Sequence, residues 1–204
     1  MATDRIAAVI LAGGRGERLG GMVKSELRVG GVRLLERVLG RLGGCRPLIM
    51  AHGAHEVAAL QLPAGLRPVA DLPGDYAGPL AGFAAAVLAV RDEAELLVSV
   101  AVDSPFLPVD YVERLVVRLG TAPAAIASYE GQPYPTNSIW RLERFRDLPE
   151  RVLAGSAPHS LKSLSAEAGG LVVEWPVSGD GNPFANINTP EELAAAELRA
   201  AGIA

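Results

Sequence analysis

Two hydrophobic periods alternate along the chain. Ile6–Leu11 is an uninterrupted apolar run, the pattern of a strand buried on both faces. Leu34-Leu35, Val38-Leu39 and Leu42 then recur at helical spacing and stop at Gly43-Gly44, a C-terminal signal. Pro47–Ala51 is a second short apolar run, His55–Leu60 a candidate short helix, and Leu66–Ala70 a further strand. Gly78-Pro79 opens a helix that continues through an alanine-rich stretch to Val90. Leu96–Val102 is again a predominantly apolar run and is expected at the centre of a sheet. Pro108–Leu119 reads as a helix with proline near its first turn. Ala124–Ser128, Ser138–Trp140 and Leu171–Glu174 read as strands, Leu142–Phe145 as a helical turn and Ser160–Ala168 as a helix. In Thr189-Pro190-Glu191-Glu192, a threonine cap, proline at the first helical position and glutamate at the third predict a capping box on the last helix. Strands alternating with helices predict an α/β fold, its largely parallel sheet covered on both faces. In such sheets ligands gather at the carboxyl ends of the strands.

The segment after the first strand, Leu11-Ala12-Gly13-Gly14-Arg15-Gly16-Glu17-Arg18-Leu19-Gly20-Gly21-Met22-Val23-Lys24, occupies such a place. Glycines let backbone N–H groups approach an anion closely, and Arg18 and Lys24 bring fixed positive charge, so the segment describes a triphosphate site. A glycine pair alone is also an ordinary turn signal. The strand before it and the cations within it favour phosphate. It is not a P-loop, because Lys24 does not follow glycine. Nor is it the dinucleotide fingerprint, because Gly14-Arg15-Gly16 is followed by Leu19 where a third glycine belongs.

Composition narrows the classes. The chain has 204 residues, enough for one domain with a full core. Its net charge of −4 gives no general attraction to nucleic acid, so a polyanionic ligand must be met by local cations. The single cysteine, Cys45, excludes an intramolecular disulfide and reads as a small core residue. The start lacks a signal peptide's apolar core and no run reaches membrane-spanning length, so a cytoplasmic protein is expected.

Four further groups could carry chemistry. Asp103 ends the central apolar run, and Pro105 and Pro108 make simple capping of the next helix less natural. Beside a phosphate loop it suits Mg²⁺, which prefers a few carboxylates with phosphate oxygens and water. Asp71 follows another strand and precedes Gly78-Pro79; it reads equally as a turn aspartate or as a nucleotide-side residue. Asn186 and Asn188 alternate before the capped helix and could face one ligand or metal shell, although loop-stabilising asparagine is the simpler account. His159-Ser160-x-Lys162 could supply charge to an anionic acceptor, while a solvated lysine is the commoner case. His52 and His55 lack a third metal ligand, and Trp140 and Trp175 read as packing residues.

In order, these segments resemble the molybdenum cofactor guanylyltransferase (MobA) family. The resemblance rests on Leu11-Ala12-Gly13-Gly14 with Arg18-Leu19-Gly20-Gly21 and Lys24, and on Asp71 followed by Gly78-Pro79-Leu80-Ala81-Gly82. Asp103-Ser104-Pro105-Phe106-Leu107-Pro108 and Asn186-Ile187-Asn188-Thr189-Pro190-Glu191-Glu192-Leu193 complete it. It implies a three-layer α/β/α Rossmann-like nucleotidyltransferase fold with a mostly parallel mixed sheet, in a single domain. It also implies a reaction: the terminal phosphate of molybdopterin attacks the α-phosphorus of GTP, pyrophosphate leaves, and the guanine dinucleotide cofactor forms. By matching position Leu11, Ala12, Gly13, Gly14, Lys24, Asp71 and Asp103 would bind GTP. Lys24, Asp103 and Arg18 would act in catalysis, and Asp103 would hold Mg²⁺. Asn186 and Asn188 would lie near the metal or the acceptor, and Lys162, read from its own segment, is placed with them on the acceptor side. The expected partners are the two substrates and, transiently, cofactor-biosynthesis proteins or molybdoenzymes, with a monomeric chain and neither nucleic acid nor membrane.

Gly13 favours GTP, because the cytidylyl branch usually has alanine there. Two positions depart from the family pattern: Val23 stands where aspartate usually precedes the loop lysine, and Ala51 where an asparagine is expected. They motivate two other readings, a nucleotidyltransferase using CTP or another phosphorylated acceptor, and a non-catalytic cofactor-delivery protein.

Overall fold

The structure, a computed structural model, describes residues 5–14, 19–20, 22–53, 55, 57, 60–74, 76 and 78–203. In chain order the elements begin with strand β1 (Ile6–Leu11), a two-residue-per-strand hairpin of β2 (Arg28–Val29) and β3 (Val32–Arg33), and helix α1 (Leu34–Leu39). Then come β4 (Leu48–Ala51), β5 (Leu66–Val69), α2 (Pro79–Val90), β6 (Leu96–Ala101) and α3 (Tyr111–Leu119). The last part holds β7 (Ala124–Tyr129), β8 (Gln132–Arg141), α4 (Leu148–Leu153), α5 (Leu161–Glu167), β9 (Leu171–Trp175) and α6 (Pro190–Ala200).

Seven strands form one sheet in the order β5-β4-β1-β6-β8-β7-β9. β8 runs antiparallel to both its neighbours, and the other pairings are parallel. This is the mostly parallel mixed sheet of the expected α/β fold. Strand periodicity divides the core: Ala8, Ile10 and Ala12 pack with residues of α1 and α3 on one face, and Ala7, Val9 and Leu11 with residues of α2 on the other. A strand buried on both faces is apolar at nearly every position, which is why β1 reads as an unbroken run and β6 as one interrupted only by Ser99, whose hydroxyl is hydrogen-bonded to that of Ser138. On the α2 face Phe83 meets Trp140 at 4.9 Å between ring centroids, and Trp140 meets Phe145 edge-on at 5.0 Å. Each such fully buried large side chain contributes roughly 1.5–3 kcal/mol from burial. Cys45 is buried and its thiol is pushed up to about 11 by burial, so it behaves as a small apolar residue.

A smaller cluster, built on Leu27, Val29, Leu34, Ile187 and Ala196, joins the hairpin to α6. The expected capping box is present: Thr189 Oγ1 accepts from the Glu192 N–H at 3.2 Å, and Glu192 Oε2 accepts from the Thr189 N–H at 3.1 Å. The same carboxylate oxygen also accepts from the Asn188 N–H at 2.6 Å, fixing the segment before the helix.

Several boundaries differ from the sequence reading. α3 starts at Tyr111, with Pro108 forming a turn whose carbonyl accepts from the Tyr111 N–H at 3.2 Å. β8 extends back to Gln132 despite Pro133 and Pro135, since that half pairs only with β7, and proline is tolerated where no ladder donor is needed. The hairpin and α4 carry too few residues for a period to show. The hairpin turn is made by Gly30 and Gly31 at φ 59° and 75°. Of the short helix expected over 55–60, positions 56, 58 and 59 lie outside the described residues. Among the described residues, no helix is long and apolar enough to cross a membrane.

Candidate active site

The carboxyl ends of β1, β4, β5 and β6 open into a cleft of about 740 Å³. Strand order dictates what meets there. β1 lies between β4 and β6, and Leu11 pairs with Ala51 on one side and Ala101 on the other. The glycine segment after β1 is therefore flanked by Gly53 and Asp71 on one side and by Asp103 on the other.

Glycines set the closeness of the first flank. A Cβ placed on Gly53, whose φ is +61°, would lie 2.6 Å from Gly13 Cα, and one on Gly13 would lie 3.2 Å from Asp71 Oδ2. A Cβ on Gly82 of α2 would come within 2.8 Å of Asp71 Oδ1 and 2.9 Å of Ala51 Cβ. Three glycines thus let two loops and a helix close around one carboxylate, which accepts from the Gly53 N–H at 3.2 Å. Burial raises the Asp71 carboxyl above the ordinary carboxylate value, partly offset by that N–H and by His52. Ala51, where the family pattern has an asparagine, is buried beside Gly82 of α2 at the cleft wall. Gly53→Ala is expected to lower the unfolding free energy by more than the roughly 1–2 kcal/mol of a left-handed alanine, because the added methyl meets backbone; urea denaturation measures it.

The second flank is polar. Lys24 opens a short 3₁₀ turn, Lys24–Glu26, and its Nζ donates to Asp103 Oδ2 at 2.6 Å and to Asn188 Oδ1 at 2.7 Å. The Lys24 and Asp103 side chains are each 12% exposed, so the pair is shielded enough for its charges to matter. Val23, just before, packs partly buried against the sheet face that holds Ile10 and Val100, using apolar contact where the family pattern has a carboxylate. The Ile187 N–H donates to the Asp103 carbonyl at 3.0 Å, and Asn186 Oδ1 accepts from Ser104 Oγ at 2.9 Å. The Asn186–Asn188 segment is thereby fixed to the end of β6.

The cleft brings Leu11, Gly13, Gly14, Asp71, Asp103 and Asn186 to one surface. Lys24 reaches it through Asp103, and Asn188 through Lys24. Ala12 is buried and donates its N–H to the Ala51 carbonyl at 2.8 Å. Lys162 is exposed on α5 away from the cleft lining, and Ser160 serves as the cap of that helix. Arg18 lies outside the described residues. His55 Nε2 donates to the Gly14 carbonyl at 3.1 Å, while His52 is buried. Among the described residues no three His, Cys, Asp or Glu side chains cluster as a metal cage. A hard cation that takes one or two carboxylates and fills its shell with substrate phosphates and water fits the donors present, since Asp103 Oδ1 accepts no hydrogen bond from the described residues.

Sequence reasoning missed Gly53, Tyr76 and Thr136, which also line the cleft. Gly53 carried the same signal as Gly13, a glycine just past an apolar run. Tyr76 sits in an irregular segment and Thr136 in a proline-interrupted strand, where periodicity says nothing.

A mostly parallel sheet with a glycine loop, a lysine and a carboxylate at its carboxyl edge defines a nucleotidyltransferase-type protein. Residues 8–171 match the MobA-like NTP transferase domain, and the chain belongs to that family. It is 38% identical over 195 residues to the molybdenum cofactor guanylyltransferase of Rhodopseudomonas palustris (strain BisB5), covering 93% of this chain and 91% of the relative. It is also 38% identical over 198 residues to the enzyme of the same name from Rhodobacter capsulatus, covering 96% of each. In fold it is similar to molybdopterin-guanine dinucleotide biosynthesis protein A from Archaeoglobus fulgidus, with a TM-score of 0.68 and 24% identity over 97% of this chain and 99% of that one.

Proposed function

We propose that this protein is a cytoplasmic, Mg²⁺-dependent guanylyltransferase that moves GMP from GTP to the terminal phosphate of molybdopterin and releases pyrophosphate. The observation that carries the reading is the Lys24–Asp103–Asn188 cluster at the edge of a glycine-walled cleft. Displacement at phosphorus needs in-line placement of two anions and neutralisation of developing charge more than a protein nucleophile. The roles divide along the cleft. The Gly13-Gly14 segment lets the triphosphate approach backbone N–H groups, and Asp71, held between Gly13, Gly53 and Gly82, faces the nucleoside side. Lys24 neutralises the α-phosphate and the leaving pyrophosphate. Asp103 would hold Mg²⁺, which supplies charge neutralisation on the phosphates when bound. In the free protein Asp103 keeps the Lys24 ammonium on its rotamer, so the cation is in place before substrate arrives. Asn186 and Asn188 face the acceptor. The names of the relatives support guanylyl transfer and this acceptor.

The test presents GTP, CTP and ATP separately with Mg²⁺ and molybdenum-loaded molybdopterin, identifying the dinucleotide by mass. The expected product is the guanine dinucleotide alone. A cytidine product moves the protein to a different base specificity, and tight nucleotide binding without turnover makes it a carrier.

A further inference from the structure

The ladder between β7 and β8 slips: Ile126 pairs with Ser138 but Ala127 pairs with Tyr134, so Pro135, Thr136 and Asn137 bulge out of β8. The β6–β8 pairing also ends there, at Ser99 with Ser138. Beyond that point the Ala101 N–H has no strand partner, and it donates to Asn137 Oδ1 at 3.3 Å. Asn137 Nδ2 in turn approaches Ser104 Oγ at 3.4 Å, and Ser104 Oγ donates to Asn186 Oδ1 at 2.9 Å. Asn137 and Ser104 are both fully buried, while Asn186 lines the cleft.

This chain has a direction. A backbone N–H can only donate, so it fixes the Asn137 amide with its oxygen toward Ala101 and its NH₂ toward Ser104. Ser104 Oγ takes the Asn137 NH₂ on one of its lone pairs, and among the described residues the acceptor its single proton meets is Asn186 Oδ1. Asn186 therefore meets Ser104 with its carbonyl oxygen and keeps its NH₂ for the cleft. An NH₂ group donates to anions and cannot ligate a cation. We propose that Asn137 is a positioning residue that acts through Ser104 to turn the Asn186 amide so that it offers the acceptor's phosphate a donor, rather than offering a metal ion an oxygen. The phosphate acceptor rests on the function proposed above; the amide orientation does not.

Asn137→Asp tests it by reversing the polarity. A carboxylate accepts from both the Ala101 N–H and the Ser104 hydroxyl, so the Ser104 oxygen becomes an acceptor and Asn186 must turn its NH₂ inward. Two readouts apply: water exchange of the Asn186 side-chain amide protons by NMR in the free protein, and the KM for molybdopterin beside the Kd for GTP. In the wild type both amide protons should exchange freely. In Asn137→Asp one should slow about tenfold, with the acceptor KM raised roughly tenfold or more, as expected for a lost donor to a charged group, and the GTP Kd within about twofold. Should the buried carboxylate prevent folding, Ser104→Ala removes the link without a charge and should raise the acceptor KM roughly fivefold with GTP binding retained. A protected Asn186 amide proton in the wild type overturns the proposal. So does an unchanged KM and exchange rate in Asn137→Asp, or an unchanged KM in Ser104→Ala. The expected exchange pattern in a protein that transfers no GMP would leave the amide orientation standing and remove the guanylyltransferase reading alone.

Discussion

Asp103→Ala is expected to lower the rate of guanylyl transfer by at least roughly a thousandfold, the upper end of what one charge-stabilising group contributes. The substitution removes the carboxylate proposed to hold the metal ion, and it also leaves the Lys24 ammonium, 12% exposed, without its counter-charge. Breaking one half of a shielded pair is costly, about 3–5 kcal/mol for a fully buried one and less here because both groups keep some contact with water. Some loss of stability should therefore accompany the loss of activity. Asp103→Asn separates the two effects. The amide keeps the shape and a hydrogen bond from Lys24, so thermal unfolding should move less than in the alanine variant while turnover stays as low. Single-turnover measurement of pyrophosphate release, set beside a melting curve of each variant, reads both. Turnover within about tenfold of wild type in Asp103→Asn would remove this carboxylate from the chemistry.

Lys24→Ala should cost roughly a hundred- to a thousandfold in turnover, with a smaller change in GTP affinity, because the charge it is proposed to neutralise grows as pyrophosphate departs. Arginine should not restore the rate. The ammonium meets Asp103 at 2.6 Å and Asn188 at 2.7 Å as a compact point charge from one nitrogen, and a longer, planar guanidinium would spread that charge and place it elsewhere. The measurement is kcat and KM for GTP in Lys24→Ala and Lys24→Arg. A rise in KM with kcat unchanged would assign Lys24 to ground-state binding only.

Most of the fold was legible because buried strands announce themselves. β1 is apolar at every position and β6 at every position but Ser99, since helices cover both faces of the sheet there, and the cap on α6 is written in Thr189, Pro190 and Glu192. The opening half of β8 was not legible. Its prolines break the pattern, and its place in the sheet depends on β7, which no local period can reveal. The site divides in the same way. Gly13, Lys24, Asp71 and Asp103 stand out because they follow apolar runs or sit in a glycine segment. That Lys24 would meet Asp103, 79 residues on, and Asn188, 164 residues on, is a consequence of strand order alone. Asn137 gave no signal, because its work is to replace a missing ladder bond, and only the register of three strands shows that the bond is missing.

The capping box of α6 joins two kinds of design that are usually kept apart. Glu192 ends the orphan donors of a surface helix and, with the same oxygen, holds the backbone of Asn188, whose side chain holds Lys24. Glu197 of that helix also accepts from the Gly30 N–H in the hairpin turn. A helix outside the cleft lining thereby sets the tolerance to which the Lys24 ammonium is placed. With the role proposed for Lys24, damage to α6 should read in an assay as a fault of catalysis, although no residue of that helix lines the cleft.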